Sequence, residues 1–481
     1  MEVVNIAYKA LHAMTLKKKK SFDKMDRVPA PPVVEPVFMK NDKGNYYNCG
    51  FASAEIMPDD IHKKSYWMAG YNIANKVKGV IDPLTVSAMW LDCDDGKGIV
   101  LVSCDLVGFT GSDVQDIRNQ LRGFSRKSGC QKIMISCTHT HAGIDTVGYW
   151  GVLPMSGKSS KFMLLVKGAI KSVVMTAYAN RKKGNLYVGN IAAPELIRDG
   201  REPIFFNDKL TRLRFVPEDG STETWYLNFC AHPNTMGRNN SMISADYPCY
   251  LRNRINEVKK TNVLFSAGAI GALDIAHVAE DCRERTVKGG RALGDKALAI
   301  DNDRLLDAKI TVMEQKYHLP VENDVHIFMN IVHAISVLKV PYDSALGVAL
   351  KSEMTYLALG DFHILALPGE CFSELVWPGG LSSAETSATG EGPEICPKSL
   401  SEIAGDPNLV IFGVTDDMTG YIIPPNDFIL NETAPYLNTT RDRFDRHHYN
   451  ETNSVGYRTA EVTAATFTKM MEKLRSVEGT K

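Results

Sequence analysis

Short apolar runs that each end in a polar, chemically capable residue recur along this chain, with helical patterns between them, and that arrangement restricts it to an α/β fold with flanking helices. Gly98-Ile99-Val100-Leu101-Val102-Ser103-Cys104 reads as a buried strand ending at Asp105. The pair Ser112 and Gln115 has capping-box spacing and predicts a helix start, and Val114, Ile117, Leu121 and Phe124 then fall on one apolar stripe. Lys132 to Cys137 forms the next strand and delivers Thr138-His139-Thr140-His141. Strand, helix and strand in this order predict a parallel unit, in which functional residues collect at the carboxyl ends of strands.

The same pattern continues. Trp225 to Cys230 leads into Ala231-His232-Pro233, and Val263 to Ser266 leads into Gly268-Ala269-Ile270-Gly271. Thr355 to Leu359 and His363 to Leu367 flank Gly360-Asp361 as a hairpin that ends in Pro368-Gly369-Glu370. Val410 to Val414 runs toward Tyr421, and Phe467, Met470, Met471 and Leu474 predict a C-terminal amphipathic helix. No internal repeat or linker interrupts residues 41–481, which are expected to form one domain of mixed sheets.

Composition narrows the function classes. A formal charge of −1 over 481 residues gives no field to steer the chain toward nucleic acid. Residues 1–40 carry Lys17-Lys18-Lys19-Lys20 and Pro29-Ala30-Pro31-Pro32 and are expected to be an extended, mobile arm. The arm holds no continuous apolar core of a signal peptide, and no segment reaches the ~18 consecutive apolar residues of a membrane span, so a soluble cytoplasmic protein is expected. Ten cysteines without a close CxxC pair, several of them inside apolar runs (Cys104, Cys137, Cys230), fit buried thiols in a reducing compartment.

His139 and His141 carry the sharpest chemical signal, because two imidazoles two apart on an extended segment point the same way and can address one metal or one substrate. Alone, the pair also fits two polar residues capping a strand. His232 and Glu370 stand at comparable strand ends, and a His/His/carboxylate set suits Zn²⁺ with a position left open for water. The metallo-β-lactamase pattern fits badly, since Ala142 follows His141 directly and Asp145 lies four residues on. Amidohydrolase barrels place His-x-His on their first strand, whereas long α/β sequence precedes it here.

In ordered motifs across roughly residues 45–475 the chain resembles the catalytic domain of the neutral, non-lysosomal ceramidase family. Gly50-Phe51-Ala52-Ser53-Ala54-Glu55-Ile56 with Ala69-Gly70-Tyr71 is similar to the family's opening segment, and Ser136 to Gly143 to its Ser-Ala-Thr-His-Thr-His-Ser-Gly. Phe229 to Met236 with Ser244-Ala245-Asp246 resembles its His-Pro-Thr-Ser-Met and Ser-Asp pair, and Pro368-Gly369-Glu370 and Gly420-Tyr421-Ile422 complete the order. The resemblance implies one zinc per chain held by His139, His232, Glu370 and Tyr421, with water on the metal attacking an amide and His141 facing the reacting group. It makes Asp246 a catalytic partner or an orienting one, against the plainer reading of a residue opening the helix at Tyr250 to Ile255.

The departures bear on substrate. Where the family carries an active-site serine this chain has Asp274, counted here among the catalytic residues, and the family's active-site arginine has no direct counterpart, leaving Arg198 or Arg201 to substitute. A second family tyrosine falls on Thr433, with Tyr436 nearby as the substrate-binding candidate. The family's full-length members continue into a C-terminal β-sandwich beyond the point matching Lys481. The expectation is therefore a zinc-dependent amidase acting on a small-molecule substrate, lipid or not, with the oligomeric state open. Ester or glycoside hydrolysis on the same scaffold, or a non-catalytic metal-binding or ligand-binding relative, are the alternatives.

Overall fold

The computed structural model describes residues 2–22, 24, 28–152, 155–331, 342–343, 347–387 and 396–479. Two sheets dominate. In the larger, the strands run in the order Asn262–Ala267, Thr224–Phe229, Lys209–Pro217, Lys182–Ala192, Tyr47–Glu55, Thr85–Asp92, Gly98–Cys104, Cys130–Cys137. Its two outermost pairs are parallel: Val100 stands opposite Ile133 and Leu227 opposite Phe265. These are the strand pairs expected to deliver the His-Thr-His and His-Pro segments. The second sheet is built on the long antiparallel pairing of Lys309–Pro320 with Gly347–Leu359, then the hairpin to Phe362–Ala366, then Val410–Phe412 in parallel.

Alternation explains how the layers stack. On one face of the larger sheet Leu91, Leu101, Met134, Phe215 and Leu264 meet Ile310, Val312, Leu357, Ile364 and Phe412 of the second sheet in a shared core. On its other face Trp90, Val100, Val102 and Ile135 receive Phe162, Val166, Ile170 and Val173 of the helix Ser160–Ala179. That helix is long and apolar enough to cross a membrane by length and composition, but this face of it is spent on the core. The C-terminal helix Thr459–Glu478 buries Phe467, Met470, Met471 and Leu474, as its spacing predicts.

Two local expectations are corrected. The helix after Asp105 starts earlier than the Ser112 capping box implies. Thr110 is its N-cap, accepting from the Asp113 amide, while Gln115 bonds forward to Asn119. The N-terminal stretch expected to be extended is a helix, Glu2–Phe22, whose His12 and Lys19 both reach Asp324 on the helix Asp324–Ile331 at 2.5 and 2.7 Å. The lysine run falls at this helix's C-terminal end, where the helix dipole favours cations. The Pro-rich segment behind it is extended, tied down by Gln315, which accepts from the Val34 amide and donates to the Pro32 carbonyl.

Candidate metal centre

Four chain segments converge where strands of both sheets end. The 130–137 strand feeds His139 and His141, the 224–229 strand His232, the 362–366 strand Glu370, and the 410–412 strand Tyr421. Backbone bonds zip the segments together: His141 N to Pro233 O at 2.9 Å, Gly271 N to Cys371 O at 2.8 Å, Glu370 N to Gly420 O at 3.0 Å. Glu370 and Tyr421 also stand opposite each other in a short parallel pair.

His139 and His141 do meet, but not because their segment is extended. The strand stops at Cys137, and His139 takes φ 68°, a left-handed conformation that a non-glycine residue adopts at a cost of roughly 1–3 kcal/mol. The resulting turn brings the two Nε2 atoms to 3.2 Å. Gly70 is required beside them, since its φ is 104° and a Cβ there would sit 2.5 Å from His141 Cβ.

The donor set is oriented from behind. His139 Nδ1 lies 2.6 Å from the Val107 carbonyl and His232 Nδ1 2.8 Å from the Leu273 carbonyl, so both rings turn Nε2 inward, toward the place a metal would occupy. Glu370 Oε2 lies 2.9 Å from His232 Nε2 and 3.5 Å from His139 Nε2. The ligand atoms of His139, His141 and His232 all lie within 4.8 Å of one another. The Tyr421 hydroxyl is within hydrogen-bonding reach of the Glu370 carboxylate. Burial alone would raise the Glu370 carboxyl, but the imidazoles of His139 and His232 hold it well below the ordinary range. Burial and the two neighbouring rings keep His141 neutral, and its buried Nδ1 has no hydrogen-bond partner. Two inward-facing nitrogens, a low-lying carboxylate and an unpartnered imidazole nitrogen fit a divalent cation bound by nitrogen and oxygen.

The remaining candidates separate. Asp274 sits beside the centre. It stands opposite Arg198 in the Ile197–Asp199 and Leu273–Ile275 pair, accepts from Arg198 Nη2 at 2.9 Å and from Asn234 Nδ2 at 2.7 Å, and forms a parallel bridge with His232. Of the two arginines, Arg198 is the one that reaches Asp274. Arg201 is buried elsewhere, on Asp427 at 2.7 Å and Glu451 at 2.9 Å. Asp246 is corrected from a reacting role to a positioning one: it caps the helix Tyr247–Val258 and binds Thr235 Oγ1 and the Met236 amide, which anchors the loop after His232-Pro233.

Tyr436 is also corrected. It packs edge-on against Phe428 and does not line the cavity beside the imidazoles. Tyr449 stands beside Tyr421, its ring edge-on at 6.4 Å and its hydroxyl in hydrogen-bonding reach of Tyr421. Tyr449 belongs to the run His447-His448-Tyr449, thirteen residues past Tyr436. Tyr71 was legible only as part of a motif. Its ring meets the edge of His141 at 4.9 Å and its hydroxyl donates to the Asn234 carbonyl.

No family model matches the sequence, and no curated protein matches it. Solved structures do match the fold. A neutral ceramidase from Pseudomonas aeruginosa superposes with TM-score 0.67 at 15% identity, covering 90% of this chain and 75% of that one. A ceramidase described as complexed with C2 gives TM-score 0.68 at 14% identity, covering 90% of this chain and 76% of that one. At such identities the likeness is one of architecture, and the chain has the mixed α/β fold of these ceramidases over nine-tenths of its length.

Proposed function

We propose that this chain is a metal-dependent hydrolase that cleaves an amide bond of an uncharged small molecule. The observation that carries the reading is the convergence of His139, His232 and Glu370, with His141 and Tyr421 beside them, at the end of an apolar cavity. His139, His232, Glu370 and Tyr421 would hold one zinc, as the family resemblance implies. The metal would supply Lewis acidity toward a carbonyl and toward water.

The chain's own residues do the rest. Val107 and Leu273 fix the tautomers of His139 and His232 through their carbonyls. Tyr421, with its hydroxyl within hydrogen-bonding reach of Glu370, would restrain its carboxylate. His141, neutral and with its ring held between Tyr71 and His139, is placed to take a proton from attacking water and return it to a leaving amine. The match to ceramidase structures in fold supports a hydrolase, and Asp274 with Arg198 where that family has a serine and another arginine supports a different substrate.

A second assignment within the same reading has His141 as the third nitrogen ligand, because its ring nitrogen falls in the same cluster. Elemental analysis of the purified chain and of His139→Ala/His232→Ala and His141→Ala, beside turnover of an amide panel, tests both. About one zinc per chain, lost in the double variant and kept in His141→Ala with turnover abolished, supports the first assignment. Zinc lost in His141→Ala supports the second, and no metal in the wild type sinks the hydrolase reading.

A further inference from the structure

The cavity that ends at the imidazoles has a volume of about 250 Å³, and much of its wall takes no part in the proposed chemistry. Tyr149, Trp150, Leu350 and Val455 line it, together with His326 from the helix Asp324–Ile331. His326 meets the ring of Tyr149 edge-on at 5.6 Å. Its imidazole has no hydrogen-bond partner among the described residues. Burial pushes it down to about 4, so at neutral pH it is an uncharged ring with one N–H donor and one acceptor.

The electrostatics of this lining select against charge. Among the described residues it includes no lysine, arginine or aspartate, and the carboxylate of Glu370 is already answered by His139 and His232. An ionised group lodged against the wall away from the imidazoles would lose its water and meet no counter-charge there. A plain alkyl chain would also be poorly matched, because it would cover the His326 nitrogens and leave them without water or partner. A flat ring would pack against Tyr71, Tyr149 and Trp150 in the edge-on and offset arrangements that aromatic pairs prefer.

We propose that this wall is a subsite for an uncharged aromatic group of the substrate, and that His326 hydrogen-bonds a hydroxyl or carbonyl carried on that group. The proposal rests on the hydrolase reading only in calling the occupant a substrate. The subsite itself is a claim about binding.

Binding and ammonia release are measured on the zinc-loaded full chain with four probes: 4-hydroxyphenylacetamide, phenylacetamide, hexanamide and the anion succinamate. Each is repeated with His326→Phe and His326→Gln. Expected is binding of 4-hydroxyphenylacetamide about tenfold tighter than of phenylacetamide, the advantage one hydrogen bond confers. That advantage is lost in His326→Phe and kept in His326→Gln, which retains a donor and an acceptor. Succinamate does not bind. Hexanamide binding as well as either aromatic, or a hydroxyl advantage that survives His326→Phe, overturns the subsite. Aromatic binding with this His326 dependence and no ammonia release leaves the subsite standing and the hydrolase reading refuted. Release from hexanamide without aromatic binding does the reverse.

Discussion

The pairing of Glu370 with His232 can be tested without any assumption about turnover. In the metal-free protein Glu370 is a buried carboxylate whose charge is met at 2.9 Å by His232 and at 3.5 Å by His139. Replacing His232 by alanine removes the closer partner and leaves the charge stranded, a change that costs about 3–5 kcal/mol for a buried ion pair. Loss of the bond from His232 Nδ1 to the Leu273 carbonyl adds about 1 kcal/mol. Glu370→Gln in the same background removes the stranded charge while keeping the shape, so the two changes together should cost about 1–3 kcal/mol less than their sum. Urea unfolding of the four proteins of the cycle, in chelator at pH 7, measures this directly. Adding zinc at a hundred times its dissociation constant should then stabilise the wild type by about 2.7 kcal/mol and His232→Ala by far less. Additivity of the two substitutions within about 0.5 kcal/mol would refute the charge argument.

Gly70→Ala combines a left-handed φ with an overlap at His141 Cβ and should destabilise the 69–76 loop by about 2–4 kcal/mol, read as a lower urea midpoint, with metal content retained. Asp417 is buried and raised to about 7, first by desolvation, so its contribution to stability is complete below its unfolded value near 3.8 and is lost as pH rises through 7. Stability should therefore fall by up to about 4 kcal/mol between pH 4 and 7 on this account, and Asp417→Asn should flatten that slope in thermal melts across the range. Arg198→Ala removes a half-exposed ion pair and should cost less than about 1 kcal/mol. Asp274→Ala also strips the acceptor from Asn234 and should cost more, which paired urea melts will rank. Asp324→Asn weakens the seat of the N-terminal helix, and limited proteolysis should then cut within residues 2–22 faster than in the wild type.

Strand ends were the legible part of this molecule, because a buried strand needs a run of apolar residues and the residue after it must leave the sheet. That logic points to His139, His141, His232 and Glu370 as one set and to a parallel pair at residues 98–104 and 130–137, whereas Tyr421 joins them through the family resemblance alone. What failed was distance along the chain after the last regular element. Between Tyr421 and the C-terminal helix there are only two-residue strands and short 3₁₀ turns, so no periodicity says which aromatic returns toward Tyr421, where Tyr449 stands. Asp246 was open in the sequence for a different reason: a carboxylate beside a Ser-Ala pair serves equally as a helix cap, and the structure shows it as that cap, bonded to Thr235 and Met236. The N-terminal helix was hidden by its lysines, whose charge run outweighed the spacing of Tyr8, Leu11, His12 and Thr15 toward one face.

Several strained residues lie on the segments that build the centre and its supports. His139 at φ 68°, Asp246 at 57°, Ala272 at 59° and Val414 at 46° are non-glycine residues in the left-handed region, each costing roughly 1–3 kcal/mol. Each one turns a chain that would otherwise run past: His139 folds back onto His141, Asp246 turns the chain into its helix beside the loop after His232, Ala272 sets the Leu273 carbonyl behind His232, and Val414 bonds the Gly369 carbonyl just before Glu370. A metal is not what offsets this strain, since the backbone bonds between these segments and the buried core under them are formed by protein alone. The donor atoms are thus gathered before the ion arrives, and binding needs little reorganisation beyond displacing the contacts of Glu370 with the two imidazoles. It follows that metal removal should leave the fold intact and lower only its stability, by the binding free energy.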